Sequence, residues 1–343
     1  MQNLAQAVRA GNRMALSKAL TLIESSKPEH EKLALECLHY LQTSLKNHPV
    51  TALSAAATAP STALGEFRIG ISGPPGAGKS SLIESMGCSL VEKGEKVAVL
   101  AVDPSSVATG GSILGDKTRM SKLSILDEAY VRPSPTRGTL GGVSRTTSEA
   151  MVVCAAAGYS RILIETVGVG QSEIAVGDLV DCMVLVLPPV GGDELQSIKR
   201  GITEVADIIV VNKADGQTRS AAGRAAASFK ATLHLRPPRK RSWIPVVLPV
   251  SAHTGDGMDA LEVTLDDYWR KMSGSGELSE LRERQRAKVA WTATQELLLE
   301  KFRRDPRVKQ LYQKLLPDIT AGYLGPRNAA VQLVDYFQKC GES

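Results

Sequence analysis

From Phe67 onward, short apolar runs bounded by turn residues alternate with helix-like segments, the runs falling at 67–72, 97–102, 161–166, 183–187, 207–211 and 245–250. Runs of this kind are what strands buried on both faces look like. Alternating with helices, they predict an α/β fold with a mostly parallel sheet and helices on both of its faces. Before this domain, residues 1 to about 45 carry Leu4, Val8, Leu16, Leu20 and Ile23 at helical spacing, and Thr51 to Thr62, rich in Ala, Ser and Thr, reads as a linker or weak helix. After it, a flexible spot at Gly274 to Gly276 precedes a charged segment, Glu277 to Lys288, and helical patterns follow at 289–303, 307–316 and 328–339. The expected organisation is an N-terminal helical region over 1–64, a sheet domain over 65–272 and a C-terminal helical extension over 273–343.

Composition narrows the function classes. Of 343 residues 43% are hydrophobic and only 4% aromatic, so the core should be built from Val, Ile, Leu and Ala. The net charge of +5 is mild for this length, which argues against a dedicated nucleic-acid binder and suits an anionic small ligand equally well. Cys37, Cys88, Cys154, Cys182 and Cys340 are scattered, with no CxxC, and point to a reducing compartment. No apolar run reaches the roughly 18 residues needed to cross a bilayer, and the first residues lack the apolar segment of a secretory signal. A soluble intracellular protein is expected. Met1 to Ile23 has Arg9, Arg13 and Lys18 without an acidic residue, as in a mitochondrial transit peptide, although an ordinary amphipathic helix has the same pattern.

The chemistry concentrates in four places. Gly73-Pro74-Pro75-Gly76-Ala77-Gly78-Lys79-Ser80, followed by Ser81, fits GxxxxGK[ST] between a strand and a helix, the setting of a P-loop. Its backbone amides and helix N-terminus should cradle phosphates, Lys79 should reach the β and γ phosphates, and Ser80 should ligate Mg²⁺. Asp103 follows the next strand at the ligand-binding edge, facing the metal or capping a turn before Pro104. Asp116 lies in a glycine-flanked loop suited to a switch. Glu165 ends the strand 161–164 and opens Glu-Thr-Val-Gly, a variant of DxxG, in which the carboxylate can hold Mg²⁺ through water and the Gly168 amide can meet the γ phosphate. Gln171 could orient the attacking water, but it stands three positions after Gly168, so slow intrinsic hydrolysis is expected. Asn212-Lys213-Ala214-Asp215 matches NKxD, whose Asp carboxylate accepts hydrogen bonds from guanine N1 and its amino group, which adenine does not offer. Ser251-Ala252 resembles the last GTPase motif, which sets a backbone amide on guanine O6. Arg132 to Arg145 and Gly191 to Gly201 read as glycine-rich charged loops, either switches or solvated surface. Arg236, Arg239, Lys240 and Arg241 read as a solvated basic loop.

Taken together, GPPGAGKSS, AVDPSS, GGSILGDKTRM, RPSPTRGTLGGVSRTT, ETVGVGQSE, GGDELQSIKRGI and NKAD resemble the MeaB/ArgK family of G proteins, most tightly between Phe67 and Asp215. The resemblance implies a P-loop NTPase fold of the SIMIBI type. It implies a GTPase that binds GTP and GDP with Mg²⁺, needs no organic cofactor of its own, gates adenosylcobalamin loading and protects methylmalonyl-CoA mutase. It makes Ser80, Asp103, Asp116 and Glu165 the metal and switch residues, sets Lys199 near the nucleotide in a third switch, and assigns the C-terminal helices to homodimerisation. No nucleic-acid or membrane partner is implied. The compartment would be the mitochondrial matrix in a eukaryote and the cytoplasm in a bacterium. The alternatives are a P-loop kinase using ATP, which would not need the guanine clamp, and a metallochaperone-type GTPase, disfavoured because His30, His39, His48, His234 and His253 form no cluster with cysteine.

Overall fold

The computed structural model describes residues 1–25, 27–47, 65–103, 120–135, 140–166, 172–189, 205–233 and 239–339. Among these, seven strands form one parallel sheet in the order β3, β2, β4, β1, β5, β6, β7. They are β1 (Phe67–Ser72), β2 (Val97–Asp103), β3 (Ala129–Pro135), β4 (Arg161–Thr166), β5 (Cys182–Leu187), β6 (Ile208–Val211) and β7 (Val246–Pro249). Every residue of β4, β5 and β6 is buried, as the apolar runs predict for strands covered on both faces.

One strand escapes the periodicity. β3 contains Arg132, Pro133 and Pro135 within the stretch expected to be a glycine-rich loop. It pairs only with β2, and at the sheet edge a proline's missing N–H breaks no ladder on the outer side. The other end of that stretch is also ordered, since Leu140 to Arg145 open the helix α5 (Leu140–Ala156).

The helices are α1 (Gln2–Arg9), α2 (Arg13–Glu24), α3 (Pro28–Asn47), α4 (Lys79–Glu92), α5, α6 (Ser172–Gly177), α7 (Arg219–Leu233), α8 (Met258–Gly274), α9 (Glu277–Arg304), α10 (Pro306–Thr320) and α11 (Pro326–Lys339). On one face of the sheet, Ile69, Ile71, Val99, Leu163 and Val184 meet Leu82 and Ile83 of α4 and Leu261 and Trp269 of α8. A second cluster joins Leu185, Leu187, Ile209 and Val211 to Ala222, Ala226 and Phe229 of α7. Four aromatic rings gather at one point, with the ring of Phe67 4.7 Å from Trp269 and Trp243 5.0 Å from Tyr268. The N-terminal helices contact one another and lie against α5. Arg132 of β3 donates to Glu24 at 2.9 Å, Arg145 of α5 pairs with Glu31 at 3.0 Å, and Arg13 reaches the carbonyls of Leu126 and Asp127.

The amino ends of the central strands carry a buried polar network. Asp181, fully buried, accepts from the Arg68 amide at 2.9 Å and forms a two-pronged pair with Arg282 of α9 at 2.8 and 2.7 Å. Lys240 sits 2.7 Å from both oxygens of Asp207 and donates to the Tyr268 hydroxyl, while Asp207 also receives the Met183 amide at 2.8 Å. Burial, reinforced by Asp207, Cys182 and Asp181, lifts the Tyr268 hydroxyl well above its ordinary range, so it stays protonated and donates to the Asp181 carbonyl. Burial alone would raise Glu66, yet Arg68 and Arg282 hold its carboxyl below the usual value. The expected solvated basic loop is therefore divided: Lys240 belongs to the core, and Arg241 pairs with Glu280 at 2.7 Å. The charged segment from Glu277 is helical. It is the first part of α9, and its Glu277 carboxylate accepts the amides of Arg241 and Ser242 at 3.0 and 2.9 Å.

Two compact units result, Met1–Ala287 and Lys288–Ser343. In the second, α10 is capped by Asp305, which receives the Arg307 amide at 2.8 Å, and Phe302 meets Phe337 edge to face at 5.3 Å.

Removing one partner of a buried, hydrogen-bonded ion pair strands the other charge, which costs about 3–5 kcal/mol. Asp181→Ala should therefore lower the unfolding free energy obtained from urea denaturation by an amount in that range. The exposed pair Arg241 and Glu280 serves as the control, and Glu280→Ala should cost under about 1 kcal/mol.

Candidate functional site

The phosphate-binding loop runs from the end of β1 to the start of α4. Its shape depends on glycine at two points. At Gly73, φ is 151° and a Cβ would lie 2.0 Å from the Val186 carbonyl oxygen of the neighbouring strand. At Gly78, φ is 86° and a Cβ would lie 2.5 Å from the Asn212 side-chain nitrogen. Gly78 is also the N-cap of α4 and supplies no side-chain cap, which leaves the helix start to an external acceptor.

Lys79, in the first turn of α4, is buried and folds back over the loop, its Nζ donating to the Gly73 carbonyl at 2.8 Å and the Pro74 carbonyl at 3.3 Å. Next to it, the Ser80 hydroxyl donates to Glu165 Oε1 at 2.8 Å. The contact follows from register, because Ile71 of β1 stands opposite Glu165 of β4, at the same level as the loop. Pro75, Gly76 and Ser81 are exposed on the outer side of the loop.

A second group forms where β6 and β7 end. Asn212 receives no solvent and acts as a bridge. Its side-chain nitrogen donates to the Ala77 and Gly78 carbonyls at 2.9 and 3.3 Å, and its side-chain oxygen accepts the Ala252 amide at 3.1 Å. Lys213 takes φ of 60°, a left-handed conformation found at no other non-glycine among the described residues. The backbone so turned presents Asp215, whose Oδ2 accepts the Ser251 hydroxyl, while that hydroxyl oxygen accepts the Thr254 amide at 3.1 Å. Thr218 closes the turn by donating to the Lys213 and Asp215 carbonyls. Both amides of Ser251-Ala252, the pair expected to set one amide on guanine O6, are engaged: that of Ala252 by Asn212, and that of Ser251 by the Asp256 carbonyl at 2.8 Å. A base oxygen would have to share or take over one of these donors.

The structure thus brings Gly73, Gly78, Lys79, Ser80 and Glu165 together at the end of β1. It joins them through Asn212 to Asp215, Ser251 and Ala252. Asp103 closes β2 opposite Pro135, on the same edge of the sheet. Asp116, Gly168, Gln171 and Lys199, expected to act in the metal site or in hydrolysis, lie outside the described residues. Sequence reasoning did not find the Ser251 hydroxyl on Asp215 or the bridging role of Asn212. The only available signal was that NKxD and Ser-Ala each follow a strand, since neighbouring parallel strands bring such segments to one corner.

A parallel sheet, a glycine loop between β1 and a helix, and an acidic strand end touching the loop's serine define a P-loop NTPase. The model of the family "Methylmalonyl Co-A mutase-associated GTPase MeaB" matches residues 16–307, and the chain belongs to that family. It is 45% identical over 96% of its length to the mouse protein "Methylmalonic aciduria type A homolog, mitochondrial", covering 77% of that relative. It is 44% identical to a "Probable GTPase" of Mycobacterium tuberculosis, over 98% of this chain and 94% of that one. With "GTPase ArgK" of Escherichia coli the identity is 38%, over 96% and 95% of the two chains. Among solved structures, that of an "LAO/AO transport system kinase" superposes with a TM-score of 0.72 at 31% identity, covering 98% of this chain and 97% of that one.

Because Gly78 combines a left-handed φ with contact against Asn212, Gly78→Ala should cost about 1–2 kcal/mol of stability from the backbone alone. Pushing the Asn212 amide aside should also weaken guanine nucleotide binding. Urea unfolding and nucleotide titration check the two effects separately. Gly94→Ala, at a helix end with φ of 84° and open space around it, carries the backbone cost without the second effect.

Proposed function

We propose that this GTPase binds GTP with Mg²⁺ and serves as a chaperone of methylmalonyl-CoA mutase, gating the loading of adenosylcobalamin and protecting the mutase. The observation that carries the nucleotide part is the Asn212 bridge, which sets the base-reading corner at a fixed separation from the phosphate loop. On binding, Lys79 exchanges the Gly73 and Pro74 carbonyls for β and γ phosphate oxygens, and the amides at the start of α4 face the same phosphates. Asp215 accepts from guanine N1 and the exocyclic amine, and its hydrogen bond from Ser251 keeps the carboxylate aimed.

The residues fit a magnesium ion. Ser80 and Glu165 offer a hydroxyl and a carboxylate within 2.8 Å of each other. Among the described residues no group of three or more His, Cys, Asp or Glu could hold a metal, which suits an ion held largely by phosphate and water. Ser80 and Glu165 would hold it with Asp103 and Asp116, and when bound it neutralises charge developing on the phosphates. Gln171 is proposed to orient water, and Lys199 to sense the nucleotide from a third switch.

The mutase assignment is supported by the family's name and by the name of the mouse relative. Homodimerisation is proposed for the C-terminal helical extension over 273–343, where the exposed Trp291, Leu297, Leu298, Leu299, Val331 and Val334 offer apolar side chains for a partner to cover. No helix among the described residues is long and apolar enough to cross a membrane. A mitochondrial matrix location in a eukaryote, or a cytoplasmic one in a bacterium, accords with the relatives' sources.

With Mg²⁺ present, GTP at a hundred times its dissociation constant should stabilise the fold by about 2.7 kcal/mol, and ATP at that concentration should not. Equal thermal shifts with the two would refute the guanine assignment and favour the kinase alternative. Lys79→Ala should weaken triphosphate binding about a hundredfold, the loss of a charge-assisted contact. Co-purification with methylmalonyl-CoA mutase should change when a non-hydrolysable GTP analogue is added, and association indifferent to nucleotide would leave the client role unsupported.

A further inference from the structure

Glu165 and Ile71 face α4, as the Ser80 contact and the core cluster around Leu82 require. Side chains alternate along a strand, so the next residue of each strand, Ser72 on β1 and Thr166 on β4, faces the opposite side of the sheet. One rung earlier the opposite side is apolar: a side chain added at Gly70 would strike Val176, Val180 and Met183. At the last rung it changes to two hydroxyls. Ser72 and Thr166 are both 0% exposed, and neither hydroxyl has a hydrogen-bond partner among the described residues. Thr146, on the helix α5 that contacts β2 and β4, is a third buried hydroxyl in the same condition. Three of the four buried hydroxyls without a partner among the described residues thus belong to the strand ends beside the P-loop or to the helix over that face.

A hydroxyl buried without a partner is destabilising, and Ala for Ser or Val for Thr would fill the same space without that cost. The positions are also sensitive ones. Ser72 leads directly into Gly73, where the loop turns against the Val186 carbonyl, and Thr166 follows directly on Glu165, which holds Ser80. One step beyond the Ile71 and Glu165 pair, the two residues lie on neighbouring strands about 4.8 Å apart. Short hydroxyl side chains at that spacing can bond directly, but these two do not, and each is left to a bridging water molecule.

We propose that Ser72 and Thr166 are positioning residues for GTP hydrolysis, their hydroxyls holding ordered water that locks the entry of the phosphate loop to the strand end carrying Glu165. The bridge lies on the far side of the sheet from the nucleotide. It acts through the backbone of Gly73 and Glu165, so it governs the alignment of loop and carboxylate in the reaction more than the ground-state grip on GTP.

A double-mutant cycle on the full chain tests this, with kcat and KM for GTP measured for Ser72→Ala, Thr166→Val and the double variant, and thermal melts confirming that each folds. Each single change should lower kcat about fivefold, the worth of one hydrogen bond, with KM nearly unchanged, and Thr166→Ser, which keeps the hydroxyl, should recover most of the loss. The double variant should be no slower than the worse single, because both changes break one bridge. Effects that multiply in the double variant, unchanged kcat in the singles, or losses confined to KM would each overturn the proposal. If Thr166→Val does not fold, Thr166→Ala takes its place in the cycle.

Discussion

A wholly parallel sheet sends the carboxyl end of every strand to one edge, and the organisation of this protein follows from that constraint. The chain leaves β1 toward β2 and β3, returns to β4 on one flank of β1, and then lays β5, β6 and β7 on the other. The reversal beside β1 opens the crevice in which open α/β sheets bind ligands. The loop after β1 therefore has neighbours on both sides: Glu165 from β4 reaches its serine, the Val186 carbonyl of β5 crowds its first glycine, and Asn212 after β6 binds its carbonyls. None of these contacts needs a long connection, because the sheet supplies them by register.

The two edges treat polarity in opposite ways. At the amino edge, the charges are buried and matched inside the chain, Asp181 with Arg282 and Asp207 with Lys240, and strand amides use the remaining lone pairs. Such a network gains little net stability over apolar packing, but it tolerates no substitution of one partner alone. It also fixes where α9 begins, since Arg282 and Gln285 both reach into it, the latter donating to the Val180 carbonyl at 2.7 Å. At the carboxyl edge, the polar groups are matched by contacts that a ligand can replace: Lys79 on carbonyls, Ser80 on the Glu165 carboxylate, and Ser251 on that of Asp215. One edge sets the frame, and the other is built to exchange partners.

What could be read from the sequence was what is local. GPPGAGKS, ETVG and NKAD each sit at the end of an apolar run, and all three runs became strands of the sheet. β3 was not legible because edge position, not periodicity, is what allows Pro133 and Pro135 in a strand. Lys240 looked like surface because a lysine among arginines usually is, and only the fold brings Asp207 and Tyr268 around it. The start of α9 was hidden by its own chemistry: Glu277 and Arg282 read only as part of a charged segment before the helical pattern, yet both are spent on contacts with segments 35 or more residues away. Tertiary pairing of charge leaves no trace in a linear pattern.

The partners of Lys79 bear on what a ligand has to displace. Its ammonium is already bonded to two loop carbonyls inside a nearly closed environment, so a phosphate must outcompete them and not merely water. Neutral carbonyls hold a cation less strongly than an anionic oxygen does, and the exchange is favourable only when a phosphate oxygen reaches the ammonium itself. The same self-satisfied contact that keeps a buried charge tolerable in the fold is therefore the one that a phosphate oxygen would have to replace under the function proposed above.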